Sequence, residues 1–251
     1  MISLTTFQTE PTPCSYLPDR QWSLLYQIVQ HMTPEEYQGR LDRGWRRFGH
    51  ALFRPRCPHC QACRSLRIPV ATFQPNRSQR RCWKANISQM TRRVTTHLHL
   101  SPDKLLLYRR YHDFQHRHKH WPNDGQIDPE DYMASFLHNP FPTEEWCYYL
   151  QQQLVGVGYV DRLPSGLSAI YFFYDPDYRS RSLGTFHILS LIAEAQKVQL
   201  PYVYLGYYVA GCPSLEYKAR FQPNEIYDPA TRTWIPFQPH VSTLQQFSQD
   251  K

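Results

Sequence analysis

Two unbroken apolar runs dominate the middle of the chain, and they enclose an apolar helical segment. The runs at residues 169–174 and 202–208 are rich in aromatic and β-branched residues, which is typical of strands covered on both faces. The segment at residues 183–198 is apolar almost all round, so we expect a buried helix. A strand, a helix and a strand at this spacing predict a crossover unit with two parallel strands.

Helical and strand-like patterns also precede this unit. Helices are predicted at residues 101–117 and 128–137, because each begins with a capping residue followed by proline. Strand-like runs follow at 146–150, 154–161 and 167–174, with connections short enough for hairpins. This element order resembles that of the GNAT acetyltransferases. We therefore predict an α+β fold with a GNAT-like acyltransferase lobe, whose mixed, mostly antiparallel sheet contains one parallel crossover pair.

Three parts are predicted along the chain. Residues 1–100 form a smaller, basic, cysteine-containing N-terminal lobe, residues 101–240 form the GNAT-like transferase domain, and residues 241–251 form a flexible tail. No apolar run approaches the roughly 18 residues of a membrane span, and the N-terminus lacks a signal-peptide pattern, which favours a cytoplasmic protein. Seven cysteines, an odd number, indicate reduced thiols rather than a secreted disulfide framework.

Positive charge is concentrated in one segment of the chain. Residues 40–93 contain 14 Arg or Lys residues and one acidic residue, Asp42, so this segment carries a charge of +13. The whole chain carries +7, which leaves −6 for the remainder. A solvated face is the ordinary explanation of a basic run. This imbalance instead favours a polyanionic partner, and nucleic acid more than membrane.

Within the basic segment, residues 76–86 predict a helix with cations on one face. They are Arg77, Arg80, Arg81 and Lys84, at positions i, i+3, i+4 and i+7. Four cations without an acidic neighbour repel each other unless anions lie along the face. We therefore predict contact with nucleic-acid phosphates rather than a plain solvated face.

A cysteine motif precedes this helix. Cys57, Cys60 and Cys63 are separated by two residues each, which places three thiols on one tight loop. Cys14 is the candidate fourth ligand, and four thiolates would suit a structural or regulatory zinc ion or an iron–sulfur cluster. The alternative is that the thiols pack as small apolar residues. The spacing alone leaves both interpretations open.

A short basic loop lies between the first apolar strand and the apolar helix. Backbone N–H groups at a helix start attract anions, and Arg179 and Arg181 add positive charge there. The sequence Arg181-Ser-Leu-Gly184-Thr-Phe186 resembles the loop by which GNAT acetyltransferases hold the pyrophosphate of coenzyme A. Phe186 departs from that pattern, because a small residue there lets the backbone approach the ligand. An anion site is predicted, with coenzyme A as an alternative donor.

Several segments together resemble the aminoacyl-tRNA–protein transferases, and specifically the bacterial aspartate/glutamate leucyltransferases. They are residues 57–70, 76–86, 174–177, 181–185, 200–208 and 217–221. The resemblance covers about residues 14–86 and 103–228. It implies transfer of an amino acid, leucine in the bacterial branch and arginine in the eukaryotic one, from aminoacyl-tRNA to proteins that begin with Asp or Glu. Such transfer creates a degradation signal and requires no cofactor.

Catalytic roles follow from this implied reaction. Tyr174 and Tyr207 are candidates for positioning the ribose or donating a proton, and Asp175 and Glu216 are candidate proton acceptors. The alternative for the tyrosines is an aromatic sheet core, and for the carboxylates a turn or capping role. Direct transfer needs no Ser/His/Asp arrangement, and none is readable in the sequence.

Binding roles are assigned on the same basis. Arg179, Arg181 and Gly184 are predicted to hold the terminal nucleotide of the tRNA. Lys218 and Arg220 are predicted either to read the acidic side chain of the acceptor or to bind the tRNA end, since cations suit both anions. The sequence does not separate these two roles.

Two functions from other classes remain as alternatives. A tRNA-binding or RNA-binding module without catalysis would use the same basic segment and would form no product. A coenzyme A-dependent GNAT acetyltransferase would use the loop before the apolar helix and would bind acetyl-coenzyme A tightly.

Overall fold

The structure, a computed structural model, describes residues 1–119 and 128–238. The described strands are β1 (Ile2–Gln8), β2 (Thr12–Pro13), β3 (Gln21–Trp22), β4 (Leu24–His31), β5 (Arg46–Phe48), β6 (Ala51–Pro55), β7 (Arg64–Pro69), β8 (Met90–Thr95), β9 (Glu144–Leu150), β10 (Gln153–Leu163), β11 (Gly166–Tyr174), β12 (Tyr202–Tyr208), β13 (Glu225–Asp228) and β14 (Thr233–Pro236). The described helices are α1 (Pro34–Leu41), α2 (Arg77–Ile87), α3 (Pro102–Lys119), α4 (Pro129–Tyr132), α5 (Leu183–Lys197) and α6 (Pro213–Glu216). The predicted flexible tail, residues 241–251, lies outside the described residues.

An eight-stranded sheet, in the order β14-β13-β7-β12-β11-β10-β9-β8, forms the centre of the molecule. Strands β9, β10 and β11 form an antiparallel meander, joined by the predicted short connections. Among the described strands, β11 and β12 are the only pair that runs in parallel, and α5 connects them. This arrangement confirms the predicted α+β fold with a mostly antiparallel sheet and one parallel crossover pair.

The parallel strands separate soon after they meet. Residues 166–168 of β11 pair with residues 202–204 of β12, and the pairing ends there. On its other side β12 continues to pair with β7, through a register shift that ends at Gly206. The carboxyl halves of β11 and β12 therefore border an opening in the sheet.

Helix α5 packs on one face of the large sheet, as its apolar sequence predicts. Leu191 and Ala195 are fully buried, and Phe186 and Ile192 are nearly so. Burial of each large apolar side chain stabilises the fold by about 1.5–3 kcal/mol. The helix is thereby anchored, and its first turn is held beside the end of β11.

A second sheet, in the order β1-β4-β6-β5, covers part of the opposite face, and α3 and α4 pack on the part formed by β10 and β11. Neighbouring residues of β12 show this arrangement, since Val203 and Leu205 pack with α5 whereas Tyr204 packs with the four-stranded sheet. Strands β7 and β8 also come from the predicted N-terminal lobe, but they belong to the large sheet. The predicted division at residue 100 therefore crosses that sheet, because charge and composition do not report which strands pair.

The predicted helices are present with small changes at their ends. Helix α2 begins after a capping box, in which Asn76 and Gln79 each accept a hydrogen bond from the other's backbone N–H. Helix α3 begins at Pro102, and α4 continues into a π-helical turn, Met133–Leu137. None of the helices within residues 1–119 and 128–238 has the length and apolar content needed to cross a membrane.

Candidate functional site

The loop before α5 presents backbone N–H groups that no side chain caps. The chain leaves β11 through a 3-10 turn, Pro176–Arg181, and Ser182 adopts a φ of +54° without making a side-chain capping bond. A Cβ atom placed on Gly184 would meet nothing within 4 Å, so a ligand can approach the backbone there. Arg179 is exposed and Arg181 is half-buried. This geometry suits the predicted anion.

The cationic helix α2 packs directly against this loop. Asn86, which is fully buried, donates from Nδ2 to the carbonyl oxygen of Arg181 at 2.9 Å. The ring centroids of Trp83 and Phe186 lie 5.5 Å apart, so α2 also contacts the first turn of α5. The helix predicted to bind phosphates and the loop predicted to bind an anion are therefore neighbours.

The four cations of α2 face solvent. The buried side of the helix is formed by Gln79 and Asn86, with Cys82 and Trp83 half-buried beside them. The exposed side carries the predicted phosphate ligands, which are Arg77, Arg80, Arg81 and Lys84. The helix thus presents a cationic surface, without an acidic residue, next to the loop before α5.

Lys218 and Arg220 lie on different surfaces, although only one residue separates them in sequence. Gln79 Nε2 donates to the carbonyl oxygen of Arg220 at 3.1 Å, which places the exposed Arg220 beside the start of α2. Lys218 is partly buried and lines a cavity on the other side of its 3-10 turn. The structure therefore associates Arg220 with the cationic surface and Lys218 with the cavity.

The cavity has a volume of about 690 Å³ and lies between the four-stranded sheet and the large sheet. Strands β4, β5 and β6 supply one wall, including Tyr26 and Phe53, whereas β11 and β12 supply the other, including Ile170 and Tyr207. The β11 and β12 residues in this wall are those beyond the paired stretch. The cavity therefore reaches the opening in the large sheet from the face opposite α5.

Arg46 brings a buried positive charge to this cavity. It is 6% exposed and donates from Nη1 to Ser168 Oγ at 3.1 Å and from Nη2 to the carbonyl oxygen of Ala169. Its guanidinium lies over Gly206, where a Cβ atom would come within 3.3 Å of Arg46 Nε. Gly206 also has a φ of +81°, so both the backbone conformation and the close approach of Arg46 favour glycine there.

Lys218 contacts the same short stretch of β12. Its Nζ atom donates to the carbonyl oxygen of Tyr207 at 2.7 Å. Burial, and then the positive charge of Arg46, lower the pKa of Lys218 to about 7. Two cations therefore contact adjacent residues of β12, Gly206 and Tyr207.

The two tyrosines predicted to act in catalysis lie at the edges of the opening. Tyr174 ends β11, and its ring centroid lies 5.2 Å from that of Tyr111. Tyr207 donates from its hydroxyl to the carbonyl oxygen of Gly44 at 3.1 Å and lines the cavity. Burial raises the pKa of Tyr174 and of Tyr207, so both hydroxyls are protonated at neutral pH.

The two carboxylates predicted as proton acceptors already have partners. Asp175 is 1% exposed, accepts a hydrogen bond from the backbone N–H of Asp177 at 3.1 Å and forms an ion pair with Arg110 at 2.9 Å. Glu216 accepts a hydrogen bond from the backbone N–H of Gly211 at 2.6 Å. These contacts favour the turn and capping roles that were the alternative for both residues.

The cysteines predicted as metal ligands do not fit a metal. Cys14, Cys57, Cys60 and Cys63 are half-buried free thiols. Over residues 1–119 and 128–238, no group of three or more His, Cys, Asp or Glu side chains is arranged to hold a metal ion. Burial, and then the neighbouring Cys57, raise the pKa of Cys63 to about 12. The zinc or iron–sulfur prediction is therefore not supported by the arrangement of the described side chains.

Arg46 is a site residue that the sequence analysis did not identify. The stretch from Trp45 to Phe53 predicts only a basic, aromatic strand. The signal lies in the adjacent arginines, because neighbouring residues in a strand point to opposite faces and each buried guanidinium needs its own partner. Arg47 has such a partner in Asp161, whereas Arg46 faces the cavity.

Two family models match the chain, in order along the sequence. The model described as arginine-tRNA-protein transferase, N terminus, matches residues 12–81. The model described as arginine-tRNA-protein transferase, C terminus, matches residues 103–228.

Curated relatives match over nearly the whole chain. An aspartate/glutamate leucyltransferase from Pseudomonas aeruginosa (strain LESB58) is 39% identical over 242 residues, which cover 94% of this chain and 97% of the relative. The enzyme of that name from Nitrosococcus oceani is 41% identical and covers 88% of this chain and 92% of its own. Among solved structures, L-PGS from Bacillus licheniformis covers 77% of this chain and 70% of its own at 12% identity. Its TM-score of 0.44 is too low to support an argument.

Proposed function

Because the chain belongs to the arginine-tRNA-protein transferase family, we propose that it transfers leucine from aminoacyl-tRNA to the N-terminal amine of proteins that begin with Asp or Glu. The observation that carries this proposal is the 39–41% identity to aspartate/glutamate leucyltransferases over most of the chain. The predicted family and the predicted enzyme class, an aminoacyltransferase, are confirmed by the same comparisons. The added leucine converts the acceptor into a target for degradation.

The tRNA donor binds along α2 and the loop before α5. The exposed cations of α2 contact backbone phosphates of the acceptor arm, which supplies most of the affinity and makes it sensitive to salt. Arg179 and Arg181 extend the positive surface toward the terminal nucleotide. The unobstructed backbone at Gly184 and the uncapped N-terminus of α5 support binding of the terminal phosphate there.

The acceptor protein binds on the other face of the large sheet. Its N-terminal residue enters the cavity, whose wall includes the unpaired halves of β11 and β12. The amine and the aminoacyl ester then meet in the opening between these strands. Alignment of two macromolecular substrates in one geometry lowers the barrier by several kcal/mol.

The transfer step is a direct aminolysis. The neutral amine attacks the ester carbonyl carbon, a C–N bond forms, the ester C–O bond breaks, and the proton lost by the amine passes to the departing ribose oxygen. An N-terminal amine has a pKa of about 7.7–8.0, so a usable fraction is neutral near pH 7 without a strong base. The protonated hydroxyl of Tyr174 at the end of β11 is the candidate relay for this proton, since it can donate to the ribose oxygen and take up the proton that the amine loses.

No cofactor takes part in this step, and we place it in the cytoplasm, where charged tRNA is made. The coenzyme A alternative is less favourable, because Phe186 occupies the position that a small residue takes in coenzyme A-binding loops. Phe186 is only 3% exposed and is part of the core around α5. The relatives likewise favour a tRNA-linked donor.

A transfer assay with defined donors tests the proposal. Leucyl-tRNA and arginyl-tRNA are each offered with peptides that begin with Asp, Glu or Ala, and products are identified by mass spectrometry. We expect a gain of one leucine on the Asp and Glu peptides alone. Binding of tRNA regardless of its charging, with no product from either donor, would identify an RNA-binding module and overturn the proposal.

A further inference from the structure

Two cations at the cavity lack a counter-charge. Arg46 has only neutral acceptors, Ser168 Oγ and the carbonyl oxygen of Ala169. Lys218 binds the carbonyl oxygen of Tyr207. Among the described residues, no carboxylate lies within ion-pair distance of either side chain. The protein therefore holds one buried and one partly buried cation without a compensating carboxylate.

The neighbouring residue Arg47, in contrast, is a buried cation whose charge is neutralised by a carboxylate of the same chain. Arg47 is 2% exposed, and its guanidinium binds both carboxylate oxygens of Asp161, which is fully buried. It also donates to Thr143 Oγ1 at 2.6 Å and to Asn139 Oδ1 at 2.7 Å. Adjacent arginines of one strand thus differ, because one is neutralised within the protein and the other is not.

The two cations without a counter-charge contact adjacent residues of β12 in the cavity wall. Arg46 lies over Gly206, and Lys218 binds the carbonyl oxygen of the next residue, Tyr207. Like charges held this close repel each other, and burial strengthens the repulsion. An anionic group bound between them would offset both the repulsion and the cost of burying charge without a partner. The arrangement is therefore complementary to an anion from outside the chain.

We propose that Arg46 and Lys218 form the pocket that recognises the side-chain carboxylate of the N-terminal Asp or Glu of the acceptor protein. This inference rests on the function proposed above. A planar guanidinium suits a carboxylate through two parallel hydrogen bonds, and the flexible lysine side chain adapts to the lengths of both Asp and Glu. Apolar and aromatic side chains, including Ile170 and Phe53, line the rest of the cavity around the bound group.

The position of the pocket argues against a tRNA phosphate as its ligand. The exposed cations predicted to bind phosphates lie on α2, and α2 packs against α5. The cavity lies on the opposite face of the large sheet, beneath the four-stranded sheet. A donor on one face and an acceptor on the other bring amine and ester together at the opening between them.

Peptide discrimination in Lys218 variants tests this assignment. The ratio of kcat/KM for a peptide that begins with Asp to that for the same peptide with Asn isolates recognition of the charge. We expect wild type to prefer Asp by roughly 100-fold or more, and Lys218→Met to reduce the ratio by about 10-fold or more, as expected for loss of a hydrogen bond to a charged group. Lys218→Arg should restore most of the ratio.

Control variants distinguish a failure of this inference from a failure of the proposed transferase function. Lys197→Met removes an exposed lysine at the end of α5 and is expected to keep the wild-type ratio. Arg46→Lys keeps the positive charge but loses the two parallel hydrogen bonds of the guanidinium, so its Asp-to-Asn ratio is expected to fall. If Arg46→Lys does not fold, the result for Lys218→Met alone tests the pocket. An unchanged ratio in Lys218→Met, or weaker leucyl-tRNA binding as its main defect, would overturn the pocket. No transfer by wild type to any peptide would instead overturn the proposed function.

Discussion

Lys218 lies in surroundings that disfavour its own charge. Burial and the guanidinium of Arg46 lower its pKa to about 7, and the thiols of Cys212 and Cys63 act in the opposite sense. A bound carboxylate favours the charged ammonium, so binding of an acidic acceptor and protonation of Lys218 support each other. Recognition of the acidic residue is therefore expected to weaken as the pH rises through 7.

We expect the KM for an Asp-initiated peptide to increase above about pH 7, by up to about tenfold per pH unit. Over the same range kcat should rise, because more of the acceptor amine is neutral. Initial rates at saturating leucyl-tRNA, measured from roughly pH 6 to roughly pH 9, separate the two constants. Lys218→Arg keeps its charge throughout and should show a flat KM. A wild-type KM that stays constant or falls with pH would argue against charged Lys218 as the ligand.

His187 of α5 is a buried histidine whose surroundings favour the neutral form. It is 2% exposed, its Nδ1 lies 2.8 Å from the hydroxyl of Tyr148, and its ring stacks on Phe172 with a centroid distance of 4.4 Å. Burial, and then the charge of Arg92, lower its pKa to about 3. The unfolded chain takes up this proton near its ordinary pKa of about 6.5, so stability is lost as the pH falls from 6.5 toward 3.

Between about pH 7 and about pH 5, this residue alone is expected to lower the free energy of unfolding by about 2 kcal/mol. Urea unfolding at both pH values measures the change. In His187→Gln the corresponding part of the pH dependence should disappear, whereas His31→Gln, at an exposed position, should keep it. The same pH dependence in His187→Gln and wild type would mean that His187 titrates normally in the folded protein.

At the scale of elements, α2 joins two parts of the proposed donor site. Its buried amides bind backbone carbonyl groups on both sides, Gln79 that of Arg220 and Asn86 that of Arg181. The exposed side of the helix carries four cations and no acidic residue. A single element therefore contacts the loop before α5 and also carries the cations proposed to bind phosphates.

Arg77→Glu combined with Arg81→Glu is expected to weaken leucyl-tRNA binding and to reduce the slope of log Kd against log salt by about 2. Both side chains are exposed, so the fold should be retained. Lys197→Glu combined with Arg232→Glu makes the same change in net charge at other exposed positions and should leave the slope nearly unchanged. Filter binding at several salt concentrations measures both, and wild-type affinity in the α2 variant would place the tRNA on another surface.

At the scale of the whole molecule, one buried ion pair holds the four-stranded sheet against the large sheet. Arg47 comes from β5 and Asp161 from β10, and their side chains are nearly inaccessible to solvent. The cavity lies between the same two sheets, so its shape depends on this contact.

Asp161→Asn is expected to lower the free energy of unfolding by about 3–5 kcal/mol, because it leaves the Arg47 guanidinium buried without a counter-charge. Asp19→Asn, which removes an exposed pair with Arg20 at 3.9 Å, should change it by less than about 1 kcal/mol. Urea unfolding at neutral pH measures both variants. Similar effects of the two substitutions would show that the buried pair does not join the sheets.

Local patterns predict the elements that bear the proposed donor site. The apolar runs of β11, α5 and β12 require burial wherever they lie, and the caps and cation spacing of α2 are set within a dozen residues. Pairings between distant segments are not local, so the sequence does not show that β7 and β8 join the large sheet. For the same reason it does not show that Arg46 and Lys218 line the same cavity. Likewise, the cysteine spacing does not determine the protonation of Cys63.

Photo-crosslinking through the 3′-terminal adenosine of leucyl-tRNA tests most directly where the acceptor end lies. A photoreactive azide on that base labels side chains within a few ångströms, and mass spectrometry identifies the labelled peptides. We predict labelling within residues 174–184 or 207–220, which border the opening between β11 and β12. Labelling confined to residues 1–31 or 96–99 would contradict delivery of the aminoacyl ester to Gly184.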